Sequence, residues 1–232
     1  MILFIIPHAG GSVVSYAQWK TRLTAEGVIV VPLELPGHMM RSSEQITTDD
    51  EIIVQDLFCT IERWICNSSE EYVIFGHSMG AALAYRIIVE IESRGVRLPR
   101  RVIFSGRWAP YLEKEDMVDL SDFDNFSKQM IIFGGINELI INNKKLFDYF
   151  IRILWTDFKL VSNLCKDKNV YKISVDIVVI YGKRDFSMNL SDLKSWKLAA
   201  TKNIVFEEID GNHFYPIECI DTTLNIVNKY LK

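Results

Sequence analysis

Cysteine is sparse in this chain: Cys59, Cys66, Cys165 and Cys219 are the whole set, and no two form a CxxC pair. That spacing argues against a zinc ribbon or a thioredoxin-like redox motif, and reduced, mostly buried thiols are expected. Cys59 and Cys66 lie about two turns apart on one helix face. Positive charge is also in short supply. Twenty-six Lys and Arg face thirty Asp and Glu, a net charge of -4, so no global field is available to hold nucleic acid or anionic lipid. Long apolar runs are missing too. Met1–Ile6 is cut off by Pro7 and has no basic leader, too little for a secretory signal or a membrane span, and a cytoplasmic protein is expected. The four histidines, His8, His38, His77 and His213, show no ligand spacing, and no metal is expected. No Pro/Gly/Ser-rich linker, repeat or low-complexity tract divides the chain. With 49% hydrophobic residues among 232, one domain spanning 1–232 is the natural count.

What is present is an alternation. Short runs rich in β-branched residues recur at Ile2–Ile6, Val28–Leu33, Tyr72–Phe75, Arg101–Ser105, Val175–Tyr181 and Asn203–Ile209, each suited to a buried strand. Between them, Ser15–Ala25, Asp49–Cys66, Met79–Ser93, Leu190–Ala200 and Ile217–Leu231 carry apolar residues at helical spacing, as in Ile52, Ile53, Leu57, Ile61 and Trp64. This pattern predicts a mostly parallel sheet covered on both faces by helices. About sixty residues break the rhythm: 111–172 has helical character without a core strand, and includes Phe123, Phe126, Met130, Ile131, Ile132, Phe133, Leu146, Phe147, Tyr149, Phe150 and Trp155. So many large apolar residues exceed the needs of two ordinary crossovers, and the stretch reads as an inserted helical lid.

Gly76-His77-Ser78-Met79-Gly80 follows the apolar run Tyr72–Phe75 and precedes the helical run from Ala81. A serine on a tight strand-to-helix turn needs glycine on both flanks, where a Cβ would strike neighbouring backbone. Composition alone yields about 0.04 chance matches to G-x-S-x-G in a chain of this make-up. Ser78 is therefore the expected nucleophile of an α/β-hydrolase fold.

A serine hydroxyl needs a base, and the base needs a carboxylate to orient it. In this fold both follow the nucleophile, and His213, in Asp210-Gly211-Asn212-His213-Phe214, is the sole histidine after Ser78. Asp185, just past Val178–Gly182, stands at the carboxyl end of a strand in the order Ser, Asp, His. Asp210 competes, but a neighbour three residues away more often shapes the turn. Asp176 begins its strand and belongs at the opposite edge. Pro7-His8-Ala9-Gly10-Gly11-Ser12 follows the first strand, where such folds place a backbone N–H against a developing oxyanion, which suggests Ala9 and Met79 as donors. His8 suits loop packing, and Gly37-His38 reads as a turn.

Together these segments resemble the type II thioesterases that serve non-ribosomal peptide and polyketide synthases. Pro7–Ser12, Leu35-Pro36-Gly37-His38, Gly76–Gly80, Ser105-Gly106-Arg107-Trp108-Ala109-Pro110, Gly182-Lys183-Arg184-Asp185 and Gly211-Asn212-His213-Phe214 carry the resemblance in order along most of the chain. It implies hydrolysis of acyl thioesters from the phosphopantetheine arm of acyl or peptidyl carrier protein domains, by a monomer without a cofactor of its own. Ser78, Asp185 and His213 match the family's triad, and Ala9 and Met79 its oxyanion donors. Leu146–Arg152 and Trp155-Thr156-Asp157-Phe158 resemble the lid that meets carrier and acyl chain. Lys144, Lys145 and Arg152 there are candidates for an acidic partner, or simply a solvated helix face. Three departures stand out: the family's short segment ahead of the first strand is missing, no proline follows in Phe186-Ser187-Met188-Asn189, and Asn212 replaces a usual glycine. A general carboxylesterase or lipase would share every catalytic residue, and a binding module would keep the pocket without the chemistry.

Overall fold

A computed structural model describes residues 1–112, 118–133, 136 and 138–232, with Ala25 and Phe133 described in backbone alone. Six strands, β1 (Ile2–Ile6), β2 (Ile29–Pro32), β3 (Tyr72–His77), β4 (Arg101–Ser105), β5 (Asp176–Gly182) and β6 (Ile204–Ile209), form one sheet in the order β2-β1-β3-β4-β5-β6. Every neighbouring pair is parallel, as the alternation predicts.

The side-chain period of two splits each strand between two cores. Ile2, Phe4 and Ile6 of β1 face one cluster with Tyr72 and Ile74 of β3, whereas Leu3 and Ile5 join Val73 and Phe75 in the other. Helices α2 (Asp50–Cys66) and α3 (Met79–Ser93) cover the first face. Helix α1 (Ala17–Ala25) and the C-terminal helix cover the second through Trp19, Leu23, Leu224 and Val227. Asp49 caps α2 by accepting the Ile52 N–H at 3.1 Å, which explains why that helix starts where it does.

Between β4 and β5 the chain forms α4 (Phe123–Phe133), α5 (Glu138–Ile141) and α6 (Lys144–Leu164). Within 111–172, residues 113–117, 134, 135 and 137 and the Phe133 side chain lie outside the described residues. Phe126, Met130, Ile151 and Leu154 form a third cluster, with Phe123, Phe147, Phe150, Trp155 and Phe158 packed around it. Ile132, Leu146 and Tyr149 instead face outward.

Four sequence expectations need correction. Leu190–Ala200 is not one α-helix: a single turn, α7 (Leu190–Leu193), runs into 3₁₀ backbone at Lys194–Leu198. Its buried residues Leu193, Trp196 and Ala199 recur every third position, and a 3₁₀ turn stacks i and i+3 on one line. That geometry lays Trp196 flat on Phe104, ring centroids 3.8 Å apart. Ile217–Leu231 is likewise two pieces, α8 (Tyr215–Glu218) and α9 (Ile220–Lys229), broken at Cys219. The Thr223 hydroxyl donates to the carbonyls of Tyr215 and Cys219, tying the two pieces together across the break. On α2 the buried face is Ile53, Val54, Leu57, Phe58, Ile61 and Ile65, so Ile52 and Trp64 stand outside it. Finally, the four cysteines are free but less buried than expected. Cys66 is exposed because it lies off the buried face of α2, which ends at Ile65, and the other three are half-buried.

Candidate functional site

The carboxyl ends of β1, β3, β5 and β6 deliver the site, as parallel sheets tend to do. Ser78 leaves β3 with φ 54°, the one non-glycine residue with positive φ among the described residues. Such a conformation costs about 1–3 kcal/mol and persists where surrounding structure imposes it. Here the Ser78 N–H donates to the Ser105 carbonyl at 2.8 Å and the Ser78 carbonyl accepts from Ala81. The flanking glycines admit no substitute: a Cβ on Gly76 would sit 2.1 Å from the Gly80 carbonyl oxygen, and one on Gly80 2.1 Å from that of Ile6.

Ser78 Oγ lies 3.1 Å from His213 Nε2, and His213 Nδ1 lies 2.6 Å from Asp185 Oδ2. The loops after β5 and β6 are laced together by backbone bonds, Lys183 N–H to Ile209 and Arg184 N–H to Gly211. A Cβ on Gly182 would meet the Gly211 carbonyl at 2.6 Å. This close approach carries Asp185 to His213 across 28 residues of sequence. Asp185 is buried, its side chain 1% exposed against 28% for His213. Burial raises its pKa, but hydrogen bonds from His213 and Ser187 outweigh that and hold the carboxyl below its usual value. The Ser187 N–H donates to Oδ1 at 3.1 Å and its hydroxyl donates to the same oxygen. Sequence reading passed over Ser187, although a hydroxyl two residues after an aspartate is a recognisable turn spacing. Asp210 turns outward and pairs with Arg184. Asp176 sits at the opposite strand end, accepting from Asn203.

Met79 opens α3 and is buried, so its N–H belongs to a first turn without intrahelical acceptors. In the loop after β1, the Gly11 N–H is committed to the His8 carbonyl and the Gly10 N–H to Asp157. Ala9 immediately precedes these two glycines in sequence, packed against the third cluster. His8 fills the loop, edge-on to His77 and Phe214. Burial, helped by the nearby His213, lowers its pKa to about 4. His77 is pushed well below its usual value by burial and by His213 and His8.

Beneath the triad runs a polar chain absent from the sequence reading. His77 Nδ1 is 2.9 Å from Ser105 Oγ, which contacts the Tyr215 hydroxyl, which in turn donates to the Ile180 carbonyl at 2.9 Å. A carbonyl only accepts, so each proton upstream has a set direction and His77 carries its proton on Nδ1. Asn212, where a glycine was the usual residue, accepts the Phe214 N–H at 2.8 Å and donates to Glu218 at 2.6 Å, which fixes the turn bearing His213. Among the described residues, no group of three or more His, Cys, Asp or Glu side chains is arranged to hold a metal ion, and no helix is long and apolar enough to cross a membrane.

A family model described as the thioesterase domain matches residues 1–231. The chain is 25% identical over 220 residues to a probable anguibactin biosynthesis thioesterase of Vibrio anguillarum, covering 92% of this chain and 85% of the relative. Its fold matches the solved structure of ClbQ from the colibactin NRPS/PKS pathway with TM-score 0.87 at 22% identity, over 98% of this chain and 95% of the other. It also matches RedJ, a thioesterase from the prodiginine biosynthetic pathway in Streptomyces coelicolor, with TM-score 0.83 at 25% identity, covering 96% and 88% of the two chains.

Proposed function

Because this chain belongs to the thioesterase-domain family, we propose that it is a type II, editing thioesterase that hydrolyses acyl groups from the phosphopantetheine arm of carrier protein domains in non-ribosomal peptide or polyketide synthesis. The observation that carries the chemistry is the line from Ser78 Oγ through His213 to Asp185, at 3.1 and 2.6 Å. Support for the substrate class comes from relatives named for such pathways.

In this reading His213 Nε2 takes the Ser78 proton as Oγ attacks the thioester carbonyl. The oxyanion is met by the N–H groups of Ala9 and Met79, the second backed by the N-terminus of α3. The tetrahedral intermediate collapses, the C–S bond breaks, and the imidazolium returns its proton to the departing thiolate. Water, activated by His213, then hydrolyses the acyl-enzyme. Asp185 supports the imidazolium in both half-reactions. These groups need no metal or cofactor of the protein's own. The protein acts as a cytoplasmic monomer of one domain, with the helices between β4 and β5 as its lid. Lys144, Lys145 and Arg152, all exposed on α6, offer positive charge to an acidic carrier despite the net charge of -4.

The test is a panel of acyl groups loaded on a carrier protein, compared with the same acyls on small thiols and simple alcohols. Strong preference for the carrier-bound set, abolished by Ser78→Ala, is expected. Equal or better turnover of free esters would make the protein a general esterase, and substantial activity in Ser78→Ala would refute the mechanism.

A further inference from the structure

The carboxylate of Asp157 stands on α6, 147 residues from Gly10 in sequence. One of its oxygens, Oδ2, accepts the Gly10 N–H at 2.7 Å and contacts His38 Nε2 at 3.0 Å. Both side chains are buried, at 2% and 3% exposure. His38 Nδ1 is 3.1 Å from the Pro36 carbonyl, an acceptor only, so Nδ1 carries a proton. Burial pulls the His38 pKa down, but the hydrogen bond and charge of Asp157, the Pro36 carbonyl and the charge of Glu34 raise it overall. His38 thus sets one ring nitrogen against a backbone carbonyl and the other against Asp157, both out of solvent. Three segments meet at one oxygen: α6, the loop after β1, and the Leu35–His38 turn. A further contact joins two of them, since Tyr149 of α6 donates to the Gly37 carbonyl.

Gly10 sits at φ +72°, and a Cβ there would meet Leu154 and Phe150 of α6 at 2.9 and 3.1 Å. The helix thus presses on this loop by packing and holds it by a hydrogen bond, one residue from Ala9. A buried pair of polar, titratable side chains contributes little net stability compared with apolar groups of the same size. A mere packing role does not call for it.

We infer that Asp157 is a positioning residue for the oxyanion hole: by holding the Gly10 N–H it aims the adjacent Ala9 N–H, with His38 holding Asp157 in place. The inference rests on Ser78 and Ala9 acting as proposed above, but not on the identity of the acyl carrier. It is therefore tested with p-nitrophenyl butyrate, with a trifluoromethyl ketone whose adduct with Ser78 places an oxyanion in the hole, and with the matching methyl ketone, which forms none.

Asp157→Ala is expected to lower kcat by ~10- to 100-fold, part of the effect of losing a donor outright, with KM changed less than about threefold. Affinity for the trifluoromethyl ketone should fall by the same factor while the methyl ketone binds as before. Asp157→Asn, whose amide oxygen still accepts the Gly10 N–H, should lose less. Should Asp157→Ala fail to fold through leaving His38 buried without its partner, the Asp157→Ala, His38→Leu double variant removes both polar groups and restores apolar packing. It should recover thermal stability but not kcat. Recovery of kcat together with stability would overturn the inference, as would folded variants with unchanged kcat and trifluoromethyl ketone affinity. Persistent ester hydrolysis by Ser78→Ala would instead overturn the catalytic reading itself.

Discussion

Replacing Asp185 by Asn separates an electrostatic role from a structural one. The carboxylate lies 2.6 Å from His213 Nδ1 with its side chain 1% exposed, so solvent screens the pair weakly. At an effective dielectric of about 20, unit charges roughly 3–4 Å apart interact by about 4–5.5 kcal/mol. That attraction is present only once His213 has taken the Ser78 proton, so it acts on the transition state. Asn also presents an N–H₂ to Nδ1, favouring the tautomer with its proton on Nε2, which cannot accept one from serine. The expected loss is about 10³- to 10⁴-fold in kcat with KM little altered. Asp210→Asn, on an exposed residue paired with Arg184, should stay within about twofold because surface pairs contribute little. The assay is burst kinetics with a p-nitrophenyl ester, supplemented by loss of thioester absorbance, since the exposed Cys66 thiol would react with thiol-detecting reagents. A kcat for Asp185→Asn within tenfold of the parent, or an equal loss in Asp210→Asn, would refute the assignment of the acid.

Two further outcomes are expected from residues around the site. Gly80→Ala places a Cβ 2.1 Å from the Ile6 carbonyl oxygen and should destabilise the protein by about 3 kcal/mol or more, read from the urea midpoint; a wild-type midpoint would show that the turn relaxes easily. His8, with its pKa lowered to about 4, stays neutral in the fold while the unfolded chain takes a proton below about pH 6.5. Stability is therefore full above that value and falls by about 3 kcal/mol as pH drops from roughly 6.5 to 4. His8→Gln should flatten this part of the Tm profile, leaving the slope due to His77; an unchanged profile would mean that His8 is protonated in the folded protein.

The frame of this protein was readable from its sequence because the relevant signals are local. Strand periods, the strand-turn-helix context of Ser78 and the glycines beside it each occupy a few consecutive residues, and two of the six strands, β1 and β4, begin and end where the apolar runs do. Even the 3₁₀ turn was written in the three-residue spacing of Leu193, Trp196 and Ala199, which a helical template obscures. What could not be read is what long loops bring together. Asp157 is polar on an otherwise amphipathic helix and looks solvated until the fold sets it against Gly10 and His38. The chain from His77 through Ser105 to Tyr215 joins the ends of β3 and β4 to the start of α8, and no spacing rule connects them. His213, Asp185 and Ser78 were named from order and element ends, whereas the bond from Asn212 to Glu218 needed coordinates and that of Ser187 lay in a turn spacing the motif reading did not use.

The third apolar cluster has an evolutionary consequence. Phe126, Met130, Ile151 and Leu154 pack mainly with one another and their helical neighbours, apart from the two cores that hold the sheet. Substitutions there can accumulate without misplacing a strand, so the helices between β4 and β5 are free to diversify at a rate the catalytic frame cannot match. The exceptions are the points where that region grips the frame: Asp157 on Gly10 and His38, Leu154 against the same glycine, the bonds from Tyr149 and Asn163, and Leu160 and Leu164, which belong to the first sheet core. Descendants of this chain should therefore vary widely in the acyl groups they accept while these anchor points change together or not at all.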